Sequence, residues 1–76
     1  MSRFILYHTA GCHLCEEAEA LARACINDEN ALEQQDIAED AELLARYSWF
    51  IPVLRNAATG QELYWPFAAA EIQGIL

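Results

Sequence analysis

YHTAGCHLCEEAEALARAC, the stretch Tyr7–Cys25, marks a change from a strand pattern to a helix pattern. The run that leads into it, Arg3–His8, is too apolar for a half-exposed strand and predicts a central, buried parallel strand. Thr-Ala-Gly then breaks the strand, and from Cys12 apolar residues recur every three or four positions, which predicts an amphipathic helix. The apolar face of this helix is expected to contain Leu14, Ala18, Leu21, Ala22 and Cys25.

The middle of the chain predicts a strand and a second helix. Ala31–Ala38 is short and polar, and we predict an edge strand there. Asp40 is a good N-cap residue for a short helix that follows it. The inward side of this helix is expected to carry Leu43, Leu44 and Tyr47.

A hairpin and a last helix complete the predicted elements. Pro52 precedes a β-type run, Val53–Arg55, and since proline cannot donate to a strand ladder it marks the start of that strand. AATG is a turn, and QELYW (61–65) is predicted as the second strand. Pro66 fits the first turn of a final helix. Ile72, Ile75 and Leu76 are expected to dock this helix on the sheet.

The predicted element order is therefore βαβαββα in a single domain, residues 1–76. A strand joined by a helix to the next strand implies parallel pairing, and the hairpin adds an antiparallel half. We expect an α/β fold with a four-stranded mixed sheet and helices on both faces.

Composition and charge exclude several classes of function. The net charge is -8 with only four basic residues, so binding to nucleic acid or to an anionic membrane surface is not expected. The sequence has no apolar run of about 18 residues, so no transmembrane helix is predicted. The apolar run near the start is too short for a secretory signal. We therefore expect a monomeric cytoplasmic protein.

The two cysteines of the Cys-x-x-Cys motif lie where the predicted strand meets the predicted helix. N–H groups at a helix start stabilise a thiolate, so Cys12 is expected to be the more reactive thiol. Cys15 borders the apolar face and is expected to be less exposed. This asymmetry suits dithiol chemistry, in which Cys12 attacks a disulfide and Cys15 resolves the mixed disulfide. A protonated His13 would further favour the Cys12 thiolate.

Two other functions are compatible with the same motif. In a metal-binding module, such as a metallochaperone, Cys12 and Cys15 could bind zinc together with His8 or His13, since zinc accepts thiolate and imidazole ligands. Metallochaperones place two strands directly after the first helix, whereas here a strand and then the Asp40 helix follow. In a redox-inactive scaffold the two thiols would have no chemical role.

Several other residues near the motif have structural interpretations. Cys25 continues the apolar helix face and is expected to pack as a small hydrophobic residue. His8 is expected to be a loop histidine that is satisfied by its neighbours or exposed, and His13 to face solvent. Trp49 and Phe50 are either ordinary packing residues or exposed aromatics that receive a substrate.

Three motifs together resemble the glutaredoxin-like proteins of the thioredoxin superfamily. They are GCHLCEEA (Gly11–Ala18), IPVL (Ile51–Leu54) and WPF (Trp65–Phe67). The group that they match is a set of small bacterial proteins described as glutaredoxin-like or as a domain of unknown function. The resemblance implies a thioredoxin-like fold and a thiol–disulfide oxidoreductase that reduces protein or small-molecule disulfides.

The resemblance also implies roles for residues far from the cysteines. Pro52 would be a cis-proline that faces Cys12 and Cys15. It would turn the backbone of Ile51 toward an extended substrate, which could pair with it like an added strand. We therefore expect Cys12 and Cys15 to be catalytic, with His13, Ile51 and Pro52 in contact with substrate. No metal site and no bound cofactor are expected.

The sequence departs from true glutaredoxins in three places. A basic residue usually precedes the first cysteine of those proteins, whereas this chain has HTAG (8–11). They carry Thr-Val-Pro where this chain has Phe50-Ile51-Pro52. They carry Gly-Gly and Asp at a glutathione-binding stretch that here reads YWPFAAAE (64–71). We therefore expect weak glutathione binding, and the electron donor stays open.

Overall fold

Four strands form one mixed sheet in the order β2-β1-β3-β4 within residues 3–76, which the computed structural model describes. β1 (Phe4–His8) pairs in parallel with β2 (Leu32–Asp36) on one edge. On its other edge it pairs in antiparallel fashion with β3 (Val53–Asn56), which in turn pairs with β4 (Glu62–Tyr64). The predicted central position of β1 and edge position of β2 are therefore confirmed.

Besides the strands, residues 3–76 form three α-helices and two short 3-10 turns. The helices are α1 (His13–Cys25), α2 (Ala41–Tyr47) and α3 (Ala69–Gly74), and the 3-10 turns are Glu29–Ala31 and Ile37–Glu39. The predicted order βαβαββα is confirmed. None of these helices has the length and apolar character that crossing a bilayer requires, within residues 3–76.

The larger part of the core lies between the sheet and the pair α1 and α3. Strand side chains such as Leu6 and Leu54, both fully buried, contribute the sheet side of this cluster. Its buried residues are Phe4, Leu6, Ala18, Ala22, Ile26, Leu32, Leu54, Phe67, Ile72 and Ile75. Since strand side chains alternate between the two faces, the other face must be covered separately.

Helix α2 covers that second face. The ring of Tyr47 stacks on the ring of Tyr7, with centroids 4.4 Å apart and planes 17° from parallel. Ile37 and Val53 are buried beside them. Helices therefore lie on both faces of a four-stranded mixed sheet, as predicted.

Helix α1 buries the predicted apolar face everywhere except in its first turn, and Leu21 and Cys25 pack partly buried against the core. Cys15, Ala18 and Ala22 are its buried residues, whereas Leu14 is 45% exposed. The prediction of an inward Leu14 is therefore wrong, because Cys15 takes the inward position in the first turn. The alanine side chains are small, so they let the helix axis approach the sheet closely.

Two further leucines that we expected to be inward lie at the surface. Leu44 is 44% exposed and Leu76 is 43% exposed. The seven-residue helix α2 buries only Tyr47 and leaves Leu43 at the cluster's edge. After α3, Ile75 takes the buried position, so Leu76 points outward.

Pro66 lies outside the last helix, which corrects the prediction for this residue. α3 begins at Ala69, three residues later. The chain before it is still tied to the sheet, because the Trp65 N–H donates to the Pro52 carbonyl at 3.2 Å. Phe67 is buried, and its ring meets Trp65 edge-on at 5.1 Å between centroids. An irregular segment, with a cis Trp65–Pro66 bond, thus leads from β4 to α3.

Three aspartates between α1 and α2 cap the turns of that segment. The side chains of Asp28, Asp36 and Asp40 each accept a backbone N–H from the residue two positions later, at 2.9 Å. Asp40 also accepts the Leu43 N–H at 3.3 Å, so it is the N-cap residue that the sequence predicted for α2. Short acidic side chains suit these positions because they satisfy otherwise unpaired donors at a helix start.

A buried asparagine joins the β3–β4 turn to the residue after α3. Asn56 has no exposed surface. Its Nδ2 donates to the Ile75 carbonyl at 2.6 Å, and its Oδ1 accepts the N–H groups of Ala58 and Thr59. A buried side chain amide with satisfied donors and acceptors fixes the relative positions of the segments it joins.

We expect Asn56→Ala to lower the free energy of unfolding by about 2 kcal/mol, because it leaves a buried carbonyl and two N–H groups without their partner. Urea unfolding followed by circular dichroism measures this change. The control is Asn27→Ala, at an exposed position, which should change stability by less than about 0.5 kcal/mol. Equal effects of the two substitutions would contradict the structural role of Asn56.

A carboxylate network ties α2 to the hairpin. Glu62 accepts hydrogen bonds from the Tyr47 hydroxyl, from Arg55 at 2.9 Å and from the Tyr64 hydroxyl at 2.9 Å. Burial raises the pKa of Glu62, but its three donors outweigh burial and hold that pKa below its ordinary value. Burial and the Glu62 hydrogen bond raise the pKa of Tyr47 to about 12.

We expect Glu62→Gln to lower the free energy of unfolding by about 1–2 kcal/mol at neutral pH, because an uncharged amide replaces a charged hydrogen-bond acceptor. A lowered folded-state pKa means that the charged form adds stability above the ordinary carboxyl pKa. That stability is lost as the pH falls through the lowered pKa. The difference in free energy of unfolding between wild type and E62Q should therefore become smaller at acidic pH. Urea unfolding at a series of pH values measures it. The control is Glu33→Gln, at an exposed position of β2, which should change the free energy of unfolding by less than about 0.5 kcal/mol.

Candidate functional site

The two cysteines lie at the junction between the end of β1 and the start of α1. Cys12 is the N-cap residue of the helix, with extended backbone angles, and Cys15 lies in the first turn. Gly11, just before them, has a φ of 76°, a conformation that favours glycine. The Cys15 N–H donates to the Cys12 Sγ at 3.1 Å. A backbone donor of the helix start therefore points at the Cys12 sulfur, which is the contact that stabilises a thiolate.

The two sulfurs are close enough to bond and are bonded in the structure. A disulfide joins Cys12 to Cys15, with 5.2 Å between their Cα atoms, inside the usual range for disulfides. Cys12 is half-buried, while only 4% of Cys15 is exposed. The asymmetry predicted from the sequence is thus present, since a partner can reach Cys12 but not Cys15.

Ile51 and Pro52 lie at the same end of the sheet as the cysteines. β3 begins at Val53, opposite Tyr7 of β1, so residues 51–52 precede it at the end where the Cys12 loop leaves β1. The Ile51–Pro52 peptide bond is cis. Pro52 is buried and Ile51 half-buried. The Ile51 N–H donates to the Tyr47 carbonyl at 3.1 Å, so this donor is already in use.

His13 stands on the outer surface of α1. Its side chain is 84% exposed, and its ring nitrogens lie 3.8 Å from Glu16 Oε2 and 3.7 Å from Glu17 Oε2. The ring is therefore turned toward acids on its own helix. This exposed position agrees with the expectation that His13 faces solvent.

A cleft of about 260 Å³ lies beside the disulfide, between α1 and β2. Its lining consists of His8, Thr9, Ala10, Gly11, Cys12, Cys15, Glu16, Glu19 and Gln34. Sequence reasoning missed Glu19 and Gln34 as members of this site. Gln34 reaches the cleft because the register places it opposite Leu6, which faces α1, and no local pattern in the sequence shows that register.

Glu19 carries a fixed negative charge in this cleft. Its Oε2 accepts a hydrogen bond from Arg23 Nε at 2.8 Å. That bond, against a smaller opposing effect of burial, lowers the pKa of Glu19, and Gln34 and His8 lower it further. Glu19 is therefore ionised at neutral pH, within a short distance of His8.

The metal-binding alternative lacks an assembled ligand set. Across residues 3–76, no group of three or more histidine, cysteine, aspartate or glutamate side chains is arranged to hold a metal ion. Cys25 is half-buried at the edge of the core between α1 and the sheet. Its packing agrees with the structural role expected for it.

Exposed aromatic side chains flank the Ile51–Pro52 segment. Trp49 is 91% exposed and Phe50 is 51% exposed. The ring of Phe50 lies 5.4 Å from the ring of Tyr64, centroid to centroid. Trp49 and Phe50 are therefore surface residues and not core residues.

Comparison with known proteins places this geometry in a family. The family model described as glutaredoxin-like domain (DUF836) matches residues 3–76. A search of curated proteins finds no match.

Solved structures of two bacterial proteins have the same fold. The X-ray structure of XcR50 from X. campestris is 37% identical, with a TM-score of 0.78, and the match covers 93% of this chain and 91% of that one. The solution NMR structure of Ne2328 from Nitrosomonas europaea is 29% identical, with a TM-score of 0.81, over 97% of this chain and 89% of that one. With the cysteine pair at the strand–helix junction of a thioredoxin-like fold, this chain belongs to the glutaredoxin-like domain family.

Proposed function

We propose that this protein is a thiol–disulfide oxidoreductase that reduces disulfides with the Cys12–Cys15 pair. The observation that carries the proposal is the unequal pair at the start of α1. Cys12 is accessible and receives a backbone N–H, while Cys15 is buried and within bonding distance of it. An accessible nucleophile with a protected resolving thiol is the arrangement that dithiol exchange requires.

The proposed reaction has two exchange steps. The Cys12 thiolate attacks one sulfur of the substrate disulfide, a Cys12–substrate disulfide forms, and the other substrate sulfur leaves as a thiolate. Cys15, after losing its proton, attacks the Cys12 sulfur and releases the second substrate thiolate. Two electrons pass to the substrate, whose sulfurs take up two protons. An external thiol or reductase must then reduce the Cys12–Cys15 disulfide.

The Ile51–Pro52 segment is the proposed docking point for an extended substrate. The Ile51 N–H is already bonded to the Tyr47 carbonyl, so we assign the pairing to the Ile51 carbonyl. Trp49 and Phe50 extend an apolar surface from this point. Aromatic side chains at that level of exposure often mark contact surfaces.

Glutathione is a weak partner in this proposal. At the start of α3, Glu71 Oε1 already accepts the Ala68 N–H at 2.9 Å, so the chain's own carboxylate occupies a donor in the stretch where glutaredoxins bind glutathione. The net charge of -8 adds repulsion toward an anionic tripeptide. We propose that the substrate is a disulfide-bearing protein or a small uncharged or cationic disulfide.

The proposed setting is the cytoplasm, with the protein acting as a monomer. Cys25 is unpaired in the structure, and a reducing compartment keeps such thiols reduced. The same compartment supplies the reductants that would regenerate the dithiol.

We expect Cys12→Ser to reduce the turnover of hydroxyethyl disulfide to the uncatalysed rate, because the attacking thiolate is lost. In the Cys15→Ser variant, Cys12 should still attack the substrate. A Cys12–substrate disulfide should then accumulate, which intact-mass spectrometry detects. Cys25→Ser is the matched control and should keep full turnover.

Full turnover by C12S would exclude this mechanism. The scaffold interpretation would be favoured if a glutathione redox titration of wild type gave no reversible Cys12–Cys15 disulfide.

We expect substrate charge to control the rate of reduction. At low ionic strength cationic cystamine should be reduced faster than anionic oxidised glutathione, by about tenfold, with neutral hydroxyethyl disulfide between them. High salt should bring the three second-order rate constants together, since it screens the surface charge. A preference for oxidised glutathione that survives high salt would contradict the proposal of weak glutathione binding.

A further inference from the structure

His8 contributes to the cleft, a role that was not predicted from the sequence. It is the last residue of β1, half-buried, and by strand alternation it lies on the α1 face with Phe4 and Leu6. It lines the cleft that Cys15 and Glu19 also line. His8 therefore faces the cleft beside the cysteine pair, whereas His13 lies on the exposed surface of α1.

The second exchange step needs a proton acceptor for Cys15. The N–H at the start of α1 points at the Cys12 sulfur and does not stabilise a Cys15 thiolate. With 4% of its surface exposed, Cys15 is also shielded from bulk water. A thiol in such surroundings gives up its proton less readily than an exposed one, so the attack by Cys15 is slow unless a nearby base accepts that proton.

The carboxylates around His8 are poorly suited to this task. Glu19 is bonded to Arg23, which lowers the Glu19 pKa and so reduces its affinity for a proton. Glu16 is 79% exposed and turned toward His13. Asp36 is the partner of His8 in the β1–β2 register, and its carboxylate accepts a hydrogen bond from the Ala38 N–H at 2.9 Å.

An imidazole is the side chain that accepts and releases protons near neutral pH. His8 is the one imidazole among the residues that line the cleft. The cleft is wide enough to admit water between polar groups. Glu19 lines the same cleft, so a carboxylate is available to pair with the imidazolium that forms when the ring takes a proton.

Building on the proposed oxidoreductase function, we propose that His8 accepts the Cys15 proton across the cleft during the resolving step. The Cys15 thiolate then attacks the Cys12 sulfur, the Cys12–Cys15 bond forms, and the bond from Cys12 to the substrate sulfur breaks. The His8 imidazolium then gives the proton to the departing substrate thiolate or, where that thiolate is too weak a base to take it, to water. His8 thus returns to its starting state, and Cys12 attack in the first step does not depend on it.

The experiment separates the two steps with dithiobis(nitrobenzoate) in stopped flow. Each exchange step releases one coloured thiolate, so the first absorbance phase reports Cys12 attack and the second reports Cys15 attack. All proteins carry Cys25→Ser, which removes the third thiol. The variants are His8→Gln and, as the matched control, His13→Gln, which removes the chain's other imidazole.

We expect H8Q to slow the second phase by about tenfold at neutral pH and leave the first phase unchanged. It should also flatten the pH dependence of the second phase between about pH 5 and 8. H13Q should keep the second phase and its pH profile. His8→Asn provides a second variant of different size, so that loss of folding in one variant does not decide the outcome.

An unchanged second phase with an unchanged pH profile in H8Q or H8N would overturn the role of His8. An equal loss in H13Q would overturn it too, because the effect would then follow net charge and not position. The absence of two stoichiometric phases in the wild-type background would instead show that the oxidoreductase function itself fails.

Discussion

β1 is hydrogen-bonded on both edges, and this double pairing fixes where every part of the site lies. The parallel partner β2 is paired with β1 as far as His8, and the antiparallel partner β3 is paired with it as far as Tyr7. From this end of β1 the chain turns directly into α1, which carries Cys12 and Cys15. The start of β3 brings Ile51 and Pro52 to the same end. A central strand thus collects residues that are forty positions apart in sequence.

The electrostatic field of the molecule depends on the contacts that its four basic side chains make. Arg23 is paired with Glu19, and Arg55 with Glu62. The guanidinium groups of Arg3 and Arg46 lie over the rings of Phe4 and Tyr47, respectively, within 6 Å of their centroids. All four basic side chains therefore have structural partners, and the acidic residues dominate the field that an approaching substrate meets.

Much of the architecture could be predicted from local patterns. The apolar run before His8, the helical spacing after Cys12 and the Asp40 cap each carry a local physical signal, and each gave the right element. Leu14 and Pro66 were placed wrongly for a tertiary reason. The first turn of α1 buries Cys15 and leaves Leu14 exposed, and the segment from β4 to α3 must carry Phe67 into the core before a helix can begin.

Local patterns in the sequence were sufficient for only part of the candidate site. Cys12 and Cys15 are only three positions apart and their unequal exposure follows from their places at the start of one helix, so local reasoning was sufficient for them. The cleft is different, because it is formed by a strand end, a helix and an edge strand. His8, Glu19 and Gln34 come together only through the register of β1 with β2. No spacing rule within one element brings these three residues together.

The alanine stripe of α1 has a further consequence for how the sequence can change. Ala18 and Ala22 have no exposed surface and follow Cys15 along the same side of the helix. A bulkier side chain at either position would lift the helix from the sheet, and the first turn would move with it. The position of the cysteine pair and the volume of the core are therefore coupled, so substitutions at Ala18 and Ala22 are limited by where they would place Cys12 and Cys15.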